Sequence, residues 1–387
     1  MDEVLIDVTR LLSRLMEGRL PTGIDRVSLS YVQHFANRST ALVRFAGRWV
    51  ELGKDDSRKI FDELLAPSVH FRSVVRWCVG RNYALRWHGK GGPRVLLNTG
   101  HSGLDHKNYA IQVQRRGLRP VFFLHDIIPL THPEYCRPGE AEKHHRRLAT
   151  MASVGRGLIV NSAATCAALE EYAGKAGWTL PPCVIAPLAS ASMPPPSTAR
   201  PLAAPYFVVL GTIESRKNHL LLLNLWRQLA EETGTAVPRL VVIGRRGWES
   251  EQVVDMLERC EALREYVVEE SRCTDAHLST WLHHAQALLF PSFAEGFGMP
   301  LVEALSMGLP VIASDLQVFH EIAGDIPEYL DPLDGLGWKQ LIRAYADTAH
   351  PRRRAQLERM SMFSVPTWDA HFAVVGALLE KVNGPRT

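Results

Sequence analysis

The sequence predicts an α/β protein made of two Rossmann-like halves joined by a linker. Short apolar runs alternate with amphipathic helical patterns along its 387 residues, which is typical of parallel sheets with helices between the strands. A chain of this length is too long for one ordinary core, so two domains are expected. The stretch 186–205 is rich in Pro, Ala and Ser, lacks apolar periodicity, and is predicted as the linker.

The predicted strands fall into two groups, one on each side of the linker. The first group contains six apolar runs: 4–8, 42–45, 95–98, 121–124, 158–160 and 184–186. The second group contains four: 206–211, 240–244, 287–290 and 310–314. Helical patterns such as 218–232 separate them. The predicted domains are residues 1–197, with helix 366–384 packing back onto them, and residues 205–362.

The composition indicates a soluble globular chain, with 46% hydrophobic and 22% charged residues. A net charge of +3 gives no reason to expect a nucleic-acid partner. Six cysteines without C-x-x-C spacing favour a reduced compartment over disulfides or structural zinc. No run approaches the ~18 apolar residues of a membrane span, and the N-terminus carries acids where a signal peptide carries positive charge. We expect a cytoplasmic chain.

The most informative stretch is LLFPSFAEGFGMPLVEALSMGLPVIASD, residues 288–315. An apolar run leads into a glycine-bracketed loop with one acid, and a helical pattern that begins near Pro300 carries a second acid, Glu303. The loop residues at this helix N-terminus are Glu295, Gly296, Phe297 and Gly298. Free backbone N–H groups there favour anionic or hydroxyl-rich ligands, and glycines allow close approach. The alternative for either acid alone is an ordinary loop or early-helix carboxylate.

Two carboxylates repel a plain phosphate but accept strong hydrogen bonds from hydroxyl groups. A sugar joined to a nucleotide diphosphate therefore suits the whole segment. Arg216 and Lys217 follow the predicted strand 206–211 and precede a helix that Asn218 can cap. Two adjacent cations at a strand exit can neutralise the charge that grows on a departing diphosphate. A solvated charge pair is the alternative, although basic residues at a helix start oppose the helix dipole.

The segment FPSFAEGFGMPLVEALSMGLPVIASD resembles the nucleotide-sugar signature of the family 4 retaining glycosyltransferases, with its E-x7-E spacing. VVLGTIESRKNHLLLL, LVVIGRRGW and CTDAHLSTWLHHAQALLFPS stand in the order that the family shows, so the resemblance covers most of the second half. In the first half it rests chiefly on FFLHDIIPLTHPE and GRLPTGIDRV. The resemblance implies the GT-B fold, in which two Rossmann-like domains face each other across a cleft, and a bacterial surface-polysaccharide pathway.

The resemblance also implies donor-binding roles. Glu295 would hold hydroxyls of the donor sugar, helped by the N–H groups of Phe297 and Gly298, and Glu303 would bind the ribose hydroxyls. Arg216 and Lys217 would neutralise the diphosphate.

Further donor-binding residues are implied less directly. The base would lie near Gly244, Arg245 and the stretch 272–275, which includes Cys273 and Thr274. His125 follows the predicted strand 121–124 and would contact the donor sugar near the reacting carbon; the alternative is a structural histidine. Gly23 would approach the diphosphate, although PTGIDRV has one glycine where the family usually has two.

The acceptor side is predicted from the polar loop NTGHSGLDHKNY after a strand. Asn98, His101 and Asp105 are the candidate acceptor-wall residues; an ordinary surface loop is the alternative. A second candidate contact is the stretch 72–94, which has six basic residues, no acid, and interleaved Trp77, Tyr83 and Trp87. This pattern suits peripheral association with an anionic inner membrane face, or a solvated helix with its aromatic side chains in the core.

The predicted function is retaining transfer of a sugar from a nucleotide diphosphate sugar to a glycan or polyprenyl-linked saccharide, without a cofactor. Double displacement needs a carboxylate nucleophile, and the resemblance supplies none, so same-face attack is expected. The chain contains no D-x-D motif for a metal on the diphosphate, so metal-independent activity is expected. The alternatives are another GT-B enzyme, such as a nucleotide-sugar epimerase or a phosphorylase, or a catalytically silent glycan-binding scaffold. The donor sugar, the base, the acceptor and the linkage are not encoded in these patterns.

Overall fold

The computed structural model describes residues 4–19, 21–85, 94–190, 193–233 and 237–384. The chain divides into two compact units, and each contains one sheet. The first unit comprises Met1–Ile127, Ala141–Leu188 and Trp368–Thr387, and the second comprises Ile128–Glu140 and Ala189–Thr367.

The first unit contains a seven-stranded sheet of order β3-β2-β1-β4-β5-β6-β7. All neighbouring strands are parallel except β2 and β3, which form an antiparallel hairpin. Ala46 and Gly47 both have positive φ in its turn, the conformation that two-residue hairpins require. The strands are β1 (Val4–Asp7), β2 (Ser39–Phe45), β3 (Arg48–Glu51), β4 (Arg94–Asn98), β5 (Leu118–Leu124), β6 (Gly157–Val160) and β7 (Cys183–Ile185).

The second unit contains a six-stranded, all-parallel sheet of order β10-β9-β8-β11-β12-β13. This is the doubly wound strand order, in which the chain reverses direction between the first and fourth strands, here β8 and β11. Ligands of such sheets bind at the carboxyl ends of the strands beside the reversal. The strands are β8 (Tyr206–Leu210), β9 (Arg239–Ile243), β10 (Val267–Glu270), β11 (Leu288–Phe290), β12 (Val311–Ser314) and β13 (Glu328–Leu330).

Helices connect most consecutive strands of the described chain. Up to residue 188 they are α1 (Thr9–Met16), α2 (Gly23–Phe35), α3 (Lys54–Leu65), α4 (Phe71–Leu85), α5 (Asn108–Arg115), α6 (Ile128–Thr131), α7 (Glu140–Val154) and α8 (Ala163–Ala176). The later helices are α9 (His219–Thr233), α10 (Glu251–Arg259), α11 (Asp275–His284), α12 (Met299–Ser306), α13 (Gln317–Ala323), α14 (Gly335–Ala346), α15 (Pro351–Met360) and α16 (Trp368–Asn383). Among the described residues, no helix is long and apolar enough to cross a bilayer.

The last helix, α16, belongs to the first unit and packs against β4 to β7. The buried Tyr31 hydroxyl and His371 Nε2 share a hydrogen bond of 2.9 Å. Arg119 donates to the carbonyl oxygens of Val382 and Asn383, at 2.9 and 2.8 Å. These carbonyls are among those that a helix C-terminus leaves without intrahelical partners, so Arg119 completes the helix end.

Two segments that the predicted boundary at residue 197 assigns to the first domain belong to the second unit. Residues 128–140 belong to the second unit, where Tyr135 stacks on Phe293 at a centroid distance of 5.4 Å and Arg137 lies over Trp248. The described residues of the predicted linker, 186–190 and 193–205, contain no helix or strand. Residues up to Leu188 belong to the first unit and those from Ala189 onwards to the second, where Ser279 Oγ of α11 donates to the Pro194 carbonyl at 2.6 Å.

Candidate functional site

The candidate site lies where the two loops beside the strand-order reversal of the second sheet meet. The loop after β8 ends in a 3₁₀ turn, Ser215–Lys217, and the loop after β11 runs over residues 291–298. The backbone N–H of Phe293 donates to the Arg216 carbonyl at 2.9 Å, which joins the two loops. Lys217 and Glu295, which are 78 positions apart in the sequence, are brought together in this way.

Four charged side chains form one cluster at this junction, which we call the charge cluster: Glu214, Arg216, Lys217 and Glu295. Arg216 Nη2 contacts Glu214 Oε1 at 2.6 Å, and Nη1 contacts Glu295 Oε2 at 2.8 Å. Lys217 Nζ contacts Glu295 Oε1 at 2.5 Å. Arg216 Nη1 also donates to the Ala294 carbonyl at 2.7 Å. Two cations and two carboxylates therefore neutralise each other.

Burial makes this mutual neutralisation necessary. The side chains of Arg216 and Lys217 are 17% and 12% exposed, and those of Glu214 and Glu295 are 6% and 8% exposed. Burial by itself raises the pKa of Glu295, but the charges of Arg216 and Lys217 outweigh it and lower the pKa to about 2. Burial lowers the pKa of Lys217, and Glu295 opposes that shift. The Glu295 carboxylate is ionised throughout the physiological pH range.

Glycines shape the backbone around the charge cluster. A Cβ at Gly244 would lie 1.8 Å from the Gly211 carbonyl oxygen, so the ends of β8 and β9 approach too closely for a side chain. Gly298 has φ 119°, and a Cβ there would lie 2.8 Å from the Phe319 ring. Gly298 is the N-cap of α12, in which Pro300 is the second residue and Glu303 the fifth. Glu303 is buried, as is the side chain of Phe297.

From the two stretches predicted to hold the base, Arg245 and Arg272 line a cavity of about 380 Å³, together with Arg246, Glu269 and Ser271. Arg245 and Arg246 are both exposed, and Arg246 forms ion pairs with Glu258 and Glu269. Gly244 has the close backbone contact described above. Arg245 and Arg272 thus share one cavity, and the role of this cavity in binding the base stays a prediction.

Cys273 and Thr274 form hydrogen bonds with residues close to them in the sequence. Thr274 Oγ1 accepts from the His277 backbone N–H and caps α11, at 3.3 Å. Burial raises the pKa of the Cys273 thiol to about 11. Cys273 is therefore a neutral thiol at physiological pH.

His125 is buried at the end of β5 in the first unit. Its Nε2 hydrogen bonds to the Thr99 carbonyl at 2.8 Å, which requires the proton on Nε2 in the neutral ring. Burial lowers the pKa of His125 to about 4, against a weaker opposing effect of the Thr99 carbonyl. His125 is a neutral group with Nδ1 left to accept a hydrogen bond.

Gly23 is the exposed first residue of α2, with nothing within 4 Å of a Cβ built on it. The helix N-terminus there already holds an anion, because Asp25 Oδ2 accepts from the Thr22 backbone N–H at 2.8 Å. Arg10 and Arg14 contact the same carboxylate, at 2.9 and 2.7 Å. A diphosphate near Gly23 would therefore meet Asp25 as well as the free end of the helix.

The three candidate acceptor-wall residues differ in placement. Asn98 is buried and donates to the Ser102 carbonyl and the Tyr109 hydroxyl, at 3.2 and 3.1 Å. His101 is buried, has φ 57°, and hydrogen bonds to the Phe123 carbonyl at 2.7 Å. Asp105 is half-buried. The hydrogen bonds of Asn98 and His101 hold the loop in place from inside the unit. Of the three candidate acceptor-wall residues, Asp105 is therefore the one with access to solvent.

Sequence reasoning missed Glu214 and the Tyr135–Phe293 stack. The acid in GTIESRK, two residues before Arg216, was visible in the sequence and could have been taken as a local partner for the arginine. His219 was also missed. It is buried beside Lys217, and burial together with the Lys217 charge lowers its pKa to about 3. His219 therefore adds no charge to the cluster.

Residues 204–333, which include the charge cluster and the E-x7-E segment, match the family model described as "Glycosyl transferases group 1". This stretch is a group 1 glycosyltransferase domain. Over 251 residues the chain is 30% identical to the serotype-specific mannosyltransferase WbdA of Escherichia coli, covering 60% of this chain and 31% of that protein. Over 130 residues it is 36% identical to O-antigen chain mannosyltransferase B of E. coli, covering 33% of each. The chain spans about one third of the length of the curated relatives it matches.

Solved structures of other proteins share the fold of this chain. Anabaena Alr3699/HepE in complex with UDP superposes with a TM-score of 0.65 at 14% identity, covering 98% of this chain and 100% of that one. Sucrose-phosphate synthase from Thermosynechococcus elongatus gives 0.59 at 17% identity, covering 89% and 83%. With the two doubly wound sheets, these likenesses confirm the predicted GT-B class with two Rossmann-like domains.

The low pKa of His125 predicts acid-dependent stability. In the folded protein this pKa is about 4, below the ordinary value of 6.5, so the unfolded chain binds the proton more readily. The contribution is complete above pH 6.5 and is lost as the pH falls towards 4, with a full size on the order of 3 kcal/mol. Urea unfolding at several pH values should show a shallower loss for His125→Gln than for the wild type. The exposed His106→Gln, in the same unit, should retain the wild-type slope; equal slopes for all three proteins would contradict the assignment.

Proposed function

We propose that this protein is a retaining glycosyltransferase that moves a sugar from a nucleotide diphosphate sugar to a glycan or lipid-linked saccharide. The observation that carries the proposal is the placement of Arg216, Lys217 and Glu295 at the strand-order reversal of a group 1 glycosyltransferase domain. Two cations that touch one carboxylate, beside a helix N-terminus, match a donor with a diphosphate at one end and hydroxyls at the other.

The reaction is proposed to proceed by attack on the face from which the diphosphate leaves. The bond from the anomeric carbon to the diphosphate breaks, the acceptor oxygen bonds to that carbon, and its proton passes to the departing phosphate oxygen. Arg216 and Lys217 would stabilise the negative charge that develops on the diphosphate. A double displacement would need a carboxylate beside the anomeric carbon, and Glu295 is assigned instead to the sugar hydroxyls. Catalysis then consists of positioning and charge stabilisation.

Mannose is proposed as the transferred sugar. This choice is supported by the relatives named above, which are described as mannosyltransferases and one of which is named for the O-antigen chain. Structures of Anabaena Alr3699/HepE, which has a similar fold, are complexes with UDP and with UDP-glucose, so the base is a separate question that a donor screen addresses. Independence from divalent metals is proposed because Arg216 and Lys217 supply the positive charge that a metal supplies elsewhere.

Replacing either cation of the charge cluster should slow turnover. Arg216→Ala and Lys217→Ala each remove one positive group from the diphosphate site, and by analogy with oxyanion-hole donors the loss is about 100- to 1,000-fold in kcat. The measurement is release of nucleoside diphosphate from a nucleotide sugar. Arg259→Ala, which breaks the exposed pair with Asp255 on α10, is the matched control and should retain normal turnover. Near-normal rates in both cluster variants would remove the diphosphate role.

A donor screen with the purified protein tests the function itself. Mannose donors should be turned over faster than glucose or N-acetylglucosamine donors with the same nucleotide, and comparison of their GDP and UDP forms identifies the base. The product should keep the anomeric configuration of the donor. EDTA should leave the rate unchanged. Full loss of activity with EDTA, restored by Mg²⁺ or Mn²⁺, would contradict metal independence. Binding of glycans without turnover of any donor would favour the silent scaffold instead.

Peripheral binding to an anionic membrane is proposed for the face formed by α4. Trp77 on this helix is 66% exposed beside the exposed Arg76, and the large apolar Val69 and Leu85 are exposed before and at the end of the helix. Basic and aromatic side chains together suit the headgroup region. Arg81 contributes less than its sequence position suggested, because it forms an ion pair with Asp56 of α3 at 2.6 Å. The residues Arg86, Trp87 and Lys90 of the predicted stretch lie outside the described residues.

Liposome sedimentation tests this face. The protein should sediment with vesicles that contain anionic lipid at low salt and less at high salt, because each basic residue near the surface contributes about 1 kcal/mol that salt screens. Arg76→Glu reverses one charge and should weaken binding about ten-fold or more, and Trp77→Ser should weaken it further. Arg115→Glu makes the same charge change on the exposed side of α5 and should have a smaller effect. Equal effects of both charge reversals would indicate that α4 is not the contact, and failure of the wild type to sediment would favour a soluble acceptor.

A further inference from the structure

Glu214 and Glu295 bind the same guanidinium, but the chain holds them differently. Glu214 precedes the 3₁₀ turn Ser215–Lys217 as its N-cap residue, and its carbonyl accepts from the Lys217 backbone N–H at 3.0 Å. Its neighbour Ile213 is tied to the β9 side by an N–H bond of 2.9 Å to the Arg245 carbonyl. Glu214 and Arg216 are thus fixed within one short, hydrogen-bonded turn.

Glu295 reaches the cations from a different segment, in the loop 291–298, which contains no regular secondary structure. Its two carboxylate oxygens divide between Arg216 and Lys217. Rotation of this one side chain would release both contacts, whereas Arg216 would keep its bonds to Glu214 and to the Ala294 carbonyl.

The charge balance sets a constraint on diphosphate binding. Two carboxylates already neutralise the two cations, so a diphosphate added to the intact cluster would bring excess negative charge into a site whose side chains are at most 17% exposed. Glu295 also occupies an N–H group of Arg216 Nη1 and one of the three N–H groups of Lys217, so it competes with a diphosphate for both cations. Displacement of one carboxylate would remove both the competition and the excess charge at the cations.

We propose that Glu295 is the exchangeable partner and Glu214 the permanent one. The diphosphate of the donor replaces the Glu295 carboxylate on Arg216 and Lys217, and the released carboxylate turns to accept hydrogen bonds from the sugar hydroxyls. Glu214 is a positioning residue that keeps Arg216 in place during the exchange. This inference rests on the proposed function, since it assumes that the two cations bind a diphosphate.

The proposed exchange predicts that two similar substitutions have different effects on diphosphate binding. Glu295→Gln and Glu214→Gln each remove one negative charge from a buried side chain that touches Arg216, so they change the net charge of the cluster equally. Removal of the internal competitor should tighten binding of inorganic diphosphate by about five-fold or more. Removal of the positioning carboxylate should bring no such gain, because Arg216 loses the bond that fixes its orientation. The same Glu295→Gln substitution should slow sugar transfer, since the hydroxyl contacts of the carboxylate are lost.

The test is calorimetric titration with inorganic diphosphate at fixed ionic strength and pH, for the wild type and both variants. Tighter binding in Glu295→Gln alone supports the exchange. Equal tightening in both variants would mean that only net charge matters, and unchanged or weaker binding in Glu295→Gln would mean that the carboxylate does not compete; either result overturns the proposal.

A second variant guards against a folding failure of Glu295→Gln, which leaves Lys217 without a charged partner. Glu295→Asp keeps the charge but shortens the side chain, so it should tighten diphosphate binding by a smaller factor, and its failure to do so would count against the exchange.

The outcomes of these titrations also separate this inference from the proposed function. Diphosphate binding that follows the expected order without turnover of any nucleotide sugar would leave the exchange standing and remove the transferase. Absence of diphosphate binding in every protein would remove both.

Discussion

The site depends on one constraint, the reversal of strand order between β8 and β11. Because these strands are parallel neighbours in register at Val208 and Leu288, their carboxyl ends finish at the same edge of the sheet. The chain leaves that edge in opposite directions, towards β9 on one side and β12 on the other, so the two loops open a gap that no strand fills. Arg216 and Lys217 enter it from one loop and Glu295 from the other, and the Phe293–Arg216 backbone bond fixes the separation.

Burial determines how the charged side chains at this edge of the sheet are paired and ionised. An ionised side chain removed from water needs a partner at hydrogen-bond distance, and the loss of one partner from such a cluster costs more than the pair contributes. Glu214 and Glu295 meet this need for the two cations, and the low pKa of Glu295 follows from the same contacts. The cluster can therefore remain charged and ordered in the protein interior, and its donors are already directed when a ligand arrives.

Much of the second sheet and its site was predictable, since local patterns carry both. The apolar runs that became β8, β9, β11 and β12 are buried on both faces, and fully buried parallel strands have continuous apolar sequences. The outer strands β10 and β13 were missed because their residues are half-exposed and include glutamates, as in VVEE. In the first unit, β3 was missed because RWVE begins and ends with a charged residue and so contains no apolar run like those of the predicted strands.

Contacts between distant residues were less predictable. Asn98 and His101 look like surface polar residues in the sequence, and only the fold supplies the internal carbonyl and hydroxyl groups that they bind. For the same reason, the sequence could place Glu295 beside a helix N-terminus but could not show that its carboxylate binds Arg216 and Lys217.

The contact of Glu295 with Arg216 and Lys217 changes the interpretation of the E-x7-E segment, because a glutamate that binds the cations must leave them before it can bind a sugar. Under the proposed exchange, the diphosphate and the sugar act on the same side chain from opposite ends of the donor, so each favours the binding of the other. A nucleoside diphosphate alone displaces Glu295 without giving its carboxylate new partners, whereas the whole donor provides them, and the charge cluster thereby favours the intact substrate over the product that leaves.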